Sequence, residues 1–444
     1  MSEQTTSRLD FNRALPIFVL VFVDVLGLTL ILPLLHLYGA AYGATPLQIG
    51  LIAAAFPLAQ LIGVPVMGAL SDRFGRKPLL LISQVTTCIS FVMLGLANSL
   101  ALVILSRVID GLFGANIATA QAALSDITDD NTRAQGLGLT GAAFGLGFII
   151  GPILSIVALE ISDSLAVPAL SAAVYSLFSI LLTYFIFDET LPPEKRGENA
   201  RTQRFNPFVM GRYLFNPKVN TLLILMFAQQ LIFFGFESLL GLFLLSRLGL
   251  LGQGSAAVFL VVGVVLVMVQ VRFIGKWTQR YGERTVVLMA LALLSLGLLL
   301  FALTPEQPHV FYVRDLTAFD LAQQAPSGTE AILGDLNVTL PEQDNRGVWG
   351  VLWVLVVVVP LSVGAGLIRP SLNSMMTKRV GKGAYGSILG VSSSFVSAAN
   401  AIAPLAGGYL FQRYDVTTPF FVGSALMFVL LVLSAFLIRA QEPA

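Results

Sequence analysis

The sequence predicts an all-α integral membrane protein with twelve transmembrane helices in two six-helix pseudo-repeat halves. Three observations support this class: the composition, the lengths of the apolar runs and an internal repeat. Of the 444 residues, 56% are apolar and only 11% are charged, whereas soluble domains are about 25% charged. A mean hydropathy of +0.83 is typical of a chain that lies largely in a bilayer.

Twelve apolar runs approach the roughly 20 residues that a helix needs to cross the hydrocarbon. They lie at about 14–37, 47–70, 79–97, 100–124, 134–158, 165–187, 218–245, 253–275, 285–303, 348–370, 386–410 and 417–439. The N-terminus lacks the short apolar stretch and small-residue site of a signal peptide, so the first run is expected to be a retained helix. A polar segment at 188–217 divides an N-terminal half, 1–187, from a C-terminal half, 218–444.

The two halves repeat a loop and a helix. "GALSDRFGRKPLLLI" begins at Gly68, and "GKWTQRYGERTVVLM" begins 207 residues later at Gly275. A second match, at an offset of 252, relates Gly138 to Gly390 and Pro152 to Pro404. A polar insertion at 304–346 accounts for most of the difference between the offsets. This pattern predicts the parallel repeats of one class of transporter fold.

Basic residues predict the orientation. With the N-terminus inside, 21 Lys and Arg fall in cytoplasmic segments, Arg369 among them, and 4 fall in outer segments. The positive-inside rule therefore predicts two cytoplasmic termini in the cell inner (plasma) membrane. The insertion at 304–346 is then extracytoplasmic, either as a small cap or with short strands at "HVFYV" and "AILGDLNVTL".

Several function classes are excluded by what the sequence lacks. The net charge of +1 gives no footprint for nucleic acid, and a single cysteine, Cys88, forms no intrachain disulfide or Cys-rich metal site. His36 and His309 are the two histidines, and neither a zinc-protease nor a nucleotide-binding motif is present. We therefore expect a protein that is not an enzyme and has no metal and no cofactor. Two non-identical halves also fit alternating access better than a channel.

Several motifs resemble those of the major facilitator superfamily, and within it the drug:proton antiporters of the tetracycline-efflux-like group. The match to the helix 2–3 signature comprises Gly68, Asp72, Arg73, Gly75, Arg76, Lys77 and Pro78. "LSRVIDGLFGAN" resembles the helix 4 Arg motif, and "GFIIGP" resembles the antiporter motif at Gly147, Gly151 and Pro152. The tetracycline exporters have a helix 3 acid where this chain has Ser90, and the family group usually has a small apolar residue where this chain has Asp110. The resemblance implies export and multidrug or antibiotic resistance.

The helix 2–3 loop is predicted to be a conformational latch. Gly68 would allow helix 2 to approach a neighbour closely, and Asp72 and the basic cluster would exchange partners between states. We expect Asp126 and the N-terminus of helix 11 as partners. The alternative is that Arg73, Arg76 and Lys77 only follow the positive-inside bias. In the second copy Gln279 and Glu283 replace Asp72 and Arg76, which predicts a weaker latch.

Buried ionisable residues are candidates for proton coupling, because an acid at the centre of a membrane helix costs about 3 kcal/mol on insertion scales. Asp24 in helix 1, and Arg107 and Asp110 in helix 4, all reach the middle of the bilayer. Either Asp24 or Asp110 would be the proton carrier, under the influence of Arg107. The alternative for Arg107 and Asp110 is a static pair at i,i+3.

The substrate cavity is predicted around Glu237, the only intramembrane acid of the second half. Its helix also carries Gln230 and Phe234, and such an aromatic surface with one acid suits amphiphilic, often cationic compounds. The other interpretation is that the aromatic rings face lipid and Glu237 bonds its neighbours. Further polar candidates for the cavity are Gln60, Asn116 and Gln121. The helix 5 glycines are expected to make a close contact with the other half.

Together these features predict a proton-coupled secondary transporter that exports small amphiphilic or drug-like compounds by alternating access. We expect it to function as a monomer in the lipid bilayer with protons and a small-molecule substrate as its partners. Proton symport for uptake, and export of an endogenous metabolite, remain the alternatives.

Overall fold

The computed structural model describes residues 11–128, 132–196, 215–216, 219–324, 337–380 and 385–438. Most of the segment predicted to link the halves, 188–217, lies outside these residues. Eleven helical segments are long and apolar enough to cross a membrane in the described part of the chain. One of them, Gly252–Ala302, is 51 residues long and contains Gly282 with φ 77° and ψ 155°, which breaks it into two helices.

The twelve membrane helices are numbered α1 to α12 in chain order. Their bounds are α1, Phe11–Ile31 and Leu35–Ala40 joined by a 3-10 turn, Leu32–Leu34; α2, Pro46–Phe74; α3, Arg76–Gly95; α4, Leu100–Phe113 and Asn116–Asp126; α5, Arg133–Ile161; α6, Ala166–Phe185; α7, Asn220–Leu248; α8, 252–281, with a π-helical turn at Val269–Phe273; α9, 283–302; α10, Trp349–Lys378; α11, Tyr385–Arg413; and α12, Thr418–Leu437. The prediction of twelve transmembrane helices is confirmed.

The end of α10 was predicted wrongly. The apolar run stops near residue 370, yet α10 continues to Lys378 and contains both Pro360 and Pro370. Proline is tolerated inside a membrane helix because neighbouring groups satisfy the backbone that it frees. Arg369 therefore lies inside a helix and not in a cytoplasmic loop.

The two ends of the bundle differ in how the halves meet. We call the end beside residues 188–218 the linker end and the end beside residues 303–348 the loop end. At the loop end the Leu47 backbone N–H of α2 donates to Oε1 of Gln412 in α11 at 3.1 Å. Nearby, a Cβ built on Gly50 would lie 2.3 Å from the carbonyl oxygen of Pro404. The halves are tightly packed here.

At the linker end the interface helices stand apart. Five glycines there have no atom of the described residues within 4 Å of the position that a Cβ would take: Gly68 of α2, Gly138 and Gly141 of α5, Gly275 of α8 and Gly390 of α11. The close approach predicted at Gly68 is thus wrong for this structure. Gly63 makes the close approach of α2 to a neighbouring helix instead, since its Cβ position lies 2.3 Å from the Leu112 carbonyl oxygen of α4.

The insertion between α9 and α10 connects both halves across the loop end. It contains the helix Arg314–Gln323, and "HVFYV" is not a strand. The Asn337 side-chain amide donates to the Gly43 carbonyl at 2.8 Å, and the Leu165 backbone N–H donates to the Gln324 carbonyl at 3.0 Å. Both Gly43 and Leu165 belong to the N-terminal half, so the insertion ties the halves together.

We expect Gly63→Ala to lower the apparent Tm of the purified protein. Its added methyl group would overlap the α4 backbone, and overpacking of this kind costs about 1–3 kcal/mol. Gly141→Ala is the matched control, because its Cβ position is open and alanine is the better helix former. Thermal unfolding in detergent tests both variants, and an equal fall in Tm would contradict the α2–α4 contact.

Candidate functional site

The latch predicted in the helix 2–3 loop is an ion network around Arg76. The Arg76 guanidinium lies 2.6 Å from Asp72, one turn earlier, and 2.9 Å from Asp126 at the end of α4. It also donates to the Ser71 hydroxyl at 2.7 Å. The Arg76 side chain is 5% exposed, so these partners offset the cost of removing the charge from water. The network joins α2, α3 and α4 within the N-terminal half.

Glu189, which follows α6, completes the network, and sequence reasoning missed it. Its carboxylate accepts from the backbone N–H groups of Arg76 at 2.8 Å and Lys77 at 3.2 Å. An acid at this position satisfies free donors at the first turn of α3 and opposes the positive end of its dipole. Gly75 has φ +108°, and a Cβ there would lie 2.2 Å from Glu189, so only glycine fits both demands. Glu189 lies in the polar run "DETLPPEKRG", where nothing in the sequence distinguishes it from the other charged residues.

The side chains of two predicted members of the latch, Arg73 and Lys77, lie outside this network. Arg73 is exposed and stacks on Phe74, with its guanidinium carbon 5.3 Å from the ring centroid. Neither Arg73 nor Lys77 forms a side-chain ion pair within the described residues. Likewise, the ion pair of Asp72 is with Arg76 and not with the described part of α11. The positive-inside interpretation therefore suffices for Arg73 and Lys77.

The C-terminal half repeats the Arg76–Asp126 pair with inverted charge. Glu283 at the start of α9 is the repeat of Arg76, and Lys378 at the end of α10 stands 252 residues after Asp126. The Glu283 carboxylate lies 2.7 Å from the Lys378 ammonium, and its side chain is 9% exposed. It also accepts from the Ser374 hydroxyl. The expectation of a weaker second latch overlooked this partner, which the repeat offset locates.

The candidate proton-coupling residues form two separate groups. Asp110 is buried; it lies 3.5 Å from the Arg107 guanidinium and accepts from the Thr87 hydroxyl at 2.9 Å. Arg107 also reaches the Ser90 hydroxyl at 3.2 Å. In contrast, Asp24 is half-buried, and its one partner among the described residues is the Asn116 amide, from which it accepts at 2.6 Å. Asp110 thus has a cationic partner, whereas Asp24 has a neutral one.

Asp24 borders a small cavity inside the N-terminal half. Its volume is about 10 Å³, close to the lower limit for one water molecule. The lining comes from α1, α3 and α6 and includes Asp24, Gln84, Thr87, Ser176 and Ser179. The Gln84 carbonyl oxygen Oε1 is buried without a partner in the described chain. The site therefore offers a polar pocket next to the carboxylate that lacks a counterion.

The predicted substrate residues fall on both halves. Gln230 of α7 donates to Asn400 of α11 at 2.8 Å, and Gln60 makes only a long 3.5 Å contact with the Gly114 carbonyl. Phe234 is half-buried, and so is Glu237, whose carboxylate forms no hydrogen bond or ion pair within the described residues. This geometry disfavours the interpretation that Glu237 bonds its neighbours. On α4, Asn116 binds Asp24, and Gln121 lies one and a half turns further on.

Two glycines of the α5 motif, Gly147 and Gly151, pack against α1, whereas Gly145 makes the predicted contact with the other half. A Cβ on Gly151 would lie 2.1 Å from the Thr29 hydroxyl of α1, and Gly147 also meets α1. Thr29 donates to the Gly147 carbonyl at 2.8 Å. The contact with the C-terminal half is made by Gly145, whose Cβ position lies 3.0 Å from Val267 of α8. Sequence alone did not distinguish these two faces of one glycine-rich helix.

Twelve membrane helices in two halves, with ionisable groups held inside the bundle, define a multi-pass membrane transporter. The chain belongs to the Major Facilitator Superfamily, whose family model matches residues 17–321. Its relatives are transporters, and the protein is therefore not an enzyme. The resemblance read from the motifs is confirmed.

Curated relatives include drug-resistance proteins. The chain is 25% identical to multidrug resistance protein 2 of Bacillus subtilis, over 95% of this chain and 94% of that protein. It is 30% identical to the class C tetracycline resistance protein of Escherichia coli, over 69% and 78% of the two chains. Among solved structures, the human organic anion transporter MFSD10 has a TM-score of 0.66 and 21% identity, covering 96% of this chain and 100% of that one. This last likeness shows the shared fold.

We expect Glu283→Lys and Lys378→Glu each to lower the apparent Tm, because each single change places like charges in contact. The double variant Glu283→Lys/Lys378→Glu restores the attraction and should recover most of the loss. Lys276→Glu, at an exposed residue of α8 without an ion pair in the described chain, is the control for net charge. Additive losses in the double variant would show that the two residues do not interact.

Proposed function

We propose that this transporter is a proton-coupled exporter of small amphiphilic compounds that works by alternating access. The observation that carries the proposal is the asymmetry of the bundle: the halves pack at the loop end and stand apart at the linker end, where five interface glycines are open. A cavity open to one side is one of the two states that alternating access requires. Relatives named for multidrug and tetracycline resistance favour export over uptake.

The proposed orientation places the linker end and both termini in the cytoplasm of the cell plasma membrane. The excess of basic residues at that end supports it. In this orientation the structure is open to the cytoplasm, the side from which an exporter takes its substrate. The latch around Arg76 lies at the same end and would exchange partners when the linker end closes. The fold encloses the pathway within one chain, so we propose that the monomer is functional.

We propose Asp24 as the principal proton carrier. A neighbouring guanidinium favours the charged form of a carboxylate, and Asp110 has Arg107 as such a neighbour. Within the described chain Asp24 has the Asn116 amide as its one partner and borders a polar pocket, so its protonation leaves no buried cation unpaired. Asp110 then serves as the counterion that keeps Arg107 stable in the interior. This division assigns different roles to the two acids that the sequence left equivalent.

The proposal is tested with purified protein in proteoliposomes under an imposed pH gradient. An acidic lumen should drive accumulation of an amphiphilic dye such as ethidium, and dye entry should alkalinise the lumen in step. Protein-free liposomes with the same gradient serve as the control. Movement of dye and protons in the same direction would instead identify a symporter and would overturn the export mechanism.

We expect Asp24→Asn to abolish proton-driven accumulation while dye binding is retained. The amide cannot carry a proton, yet its oxygen still accepts the bond from Asn116. Asp110→Asn should instead lower the apparent Tm, because it removes the counterion of a buried arginine. Gradient-driven transport and thermal unfolding separate the two outcomes. A stable Asp110→Asn protein without coupling, next to a coupled Asp24→Asn protein, would assign the carrier role to Asp110.

We expect Glu237→Gln to weaken transport of cationic amphiphiles about tenfold and to leave neutral ones nearly unchanged. An unpaired carboxylate in a cavity with little water attracts positive charge strongly. Initial rates for ethidium and for a neutral dye, measured in the same proteoliposomes, test this expectation. Small and equal effects would reject Glu237 as a selector, and a severe loss of both would make it a second proton carrier.

A further inference from the structure

Arg369 is a charged residue of the membrane region that no other part of the mechanism uses. It lies inside α10, nine residues before the helix ends at Lys378. Its side chain is exposed and forms no hydrogen bond or ion pair within the described residues. Arg107, in comparison, is buried and has Asp110 and Ser90 as partners. An arginine at membrane depth is expected to face a wet cavity or a partner, and Arg369 has no protein partner in the described part of the chain.

Arg369 points toward the interface between the halves. On α10, Gly364 packs against α9, and Ser374 and Lys378 contact Glu283 at its start. At 3.6 residues per turn, Arg369 lies roughly 140° to 180° around the helix from these positions. Since α9 packs against only α10 and α12 among its larger contacts, it is peripheral. The opposite face of α10 therefore looks inward.

The neighbours of Arg369 on its own face identify what lies on either side of it. Gly366, one turn before, packs against Val269 of α8, and Asn373, one turn after, accepts from Ser392 of α11 at 3.0 Å. Helices α8 and α11 make the largest contacts with the N-terminal half. Arg369 thus lies between them, on the side where the bundle is open at the linker end.

The level of Arg369 relative to Glu237 follows from one contact. Leu248, at the end of α7, packs against Gly350 at the start of α10, so these residues lie at the same height. With a rise of 1.5 Å per residue, Glu237 lies about 16 Å below that level and Arg369 about 28 Å below it. The two unpaired charges are thus about 12 Å apart along the bundle, with Arg369 nearer the open end.

We propose that Arg369 binds an anionic group of the substrate, so that the exported amphiphiles include organic anions and zwitterions. The planar guanidinium presents two parallel N–H donors that match a carboxylate, a bond stronger than one between neutral groups. A zwitterion would place its cation toward Glu237 and its anion toward Arg369. This inference rests on the proposed function, because it assigns the substrate class of the same cavity.

The test uses tetramethylrhodamine, which has a free carboxylate, and its methyl ester, which lacks that charge. Affinities for the purified protein are measured by fluorescence anisotropy. We expect the wild type to bind the acid more tightly than the ester. Arg369→Gln should weaken binding of the acid about tenfold or more, as for a lost charged hydrogen bond, and should change the ester less than about twofold. Arg369→Lys should retain part of the preference.

Arg272→Gln is the matched control. Arg272 is also exposed, lacks a partner in the described chain and lies at a similar height, 20 residues after the start of α8. It lies one turn after Met268 and two turns after Val264, which are also exposed residues of α8. This variant should leave both affinities unchanged.

Three results would overturn the assignment: equal wild-type affinity for acid and ester, no wild-type binding of either dye, or the same acid-to-ester ratio in Arg369→Gln as in the wild type. Gradient-driven transport of both dyes is measured separately. An acid preference that depends on Arg369, without gradient-driven transport, would refute the proposed export function and leave the anion site standing. Transport of both dyes without such a preference would refute the anion site and leave the proposed export function standing.

Discussion

The cost of holding a charge away from water constrains most of this structure. The chain has few charged residues, and those inside the bundle divide into pairs and unpaired groups. Arg107 with Asp110, and Arg76 with Asp72 and Asp126, offset that cost through mutual contacts. Among the described residues, Asp24, Glu237 and Arg369 lack a charged partner, so water or a ligand would offset the cost of their charge. We therefore expect the transport chemistry at the charged residues that have no charged partner.

The same constraint separates structural from mobile parts of the bundle. Helices α2, α3 and α4 are joined by the Arg76 network, and α9 and α10 by Glu283 and Lys378, so each half moves as a unit in the proposed cycle. Opening of the loop end must also release the insertion, which donates and accepts single hydrogen bonds across the halves. Burial, and then the negative charge of Asp163, raise the pKa of Asp320 in that insertion. The contact of the insertion with the N-terminal half thus consists of single hydrogen bonds, and the repulsion between Asp320 and Asp163 opposes it.

Sequence was sufficient for the features that depend on local pattern. Apolar length identified all twelve helices, and repeat spacing identified two halves, because both are written along the chain. Sequence was not sufficient for features that depend on tertiary contacts. The direction in which Gly147 and Gly151 face, the choice of Gly63 over Gly68 for close packing, and the capping of α3 by Glu189 all depend on distant segments. Arg369 was missed for another reason: Pro370 ends an apolar run but does not end the helix.

The inverted charges of the two ion pairs have a consequence for how a duplicated protein assembles. During folding, α3 and α9 present equivalent surfaces, and so do α4 and α10, which invites pairing between the wrong copies. With Arg76 opposite Lys378, or Glu283 opposite Asp126, such a pairing brings like charges together. Each half therefore accepts only its own partner helix, by repulsion of the alternative as much as by attraction. Divergence at two positions of the repeat is enough to give the two halves separate identities.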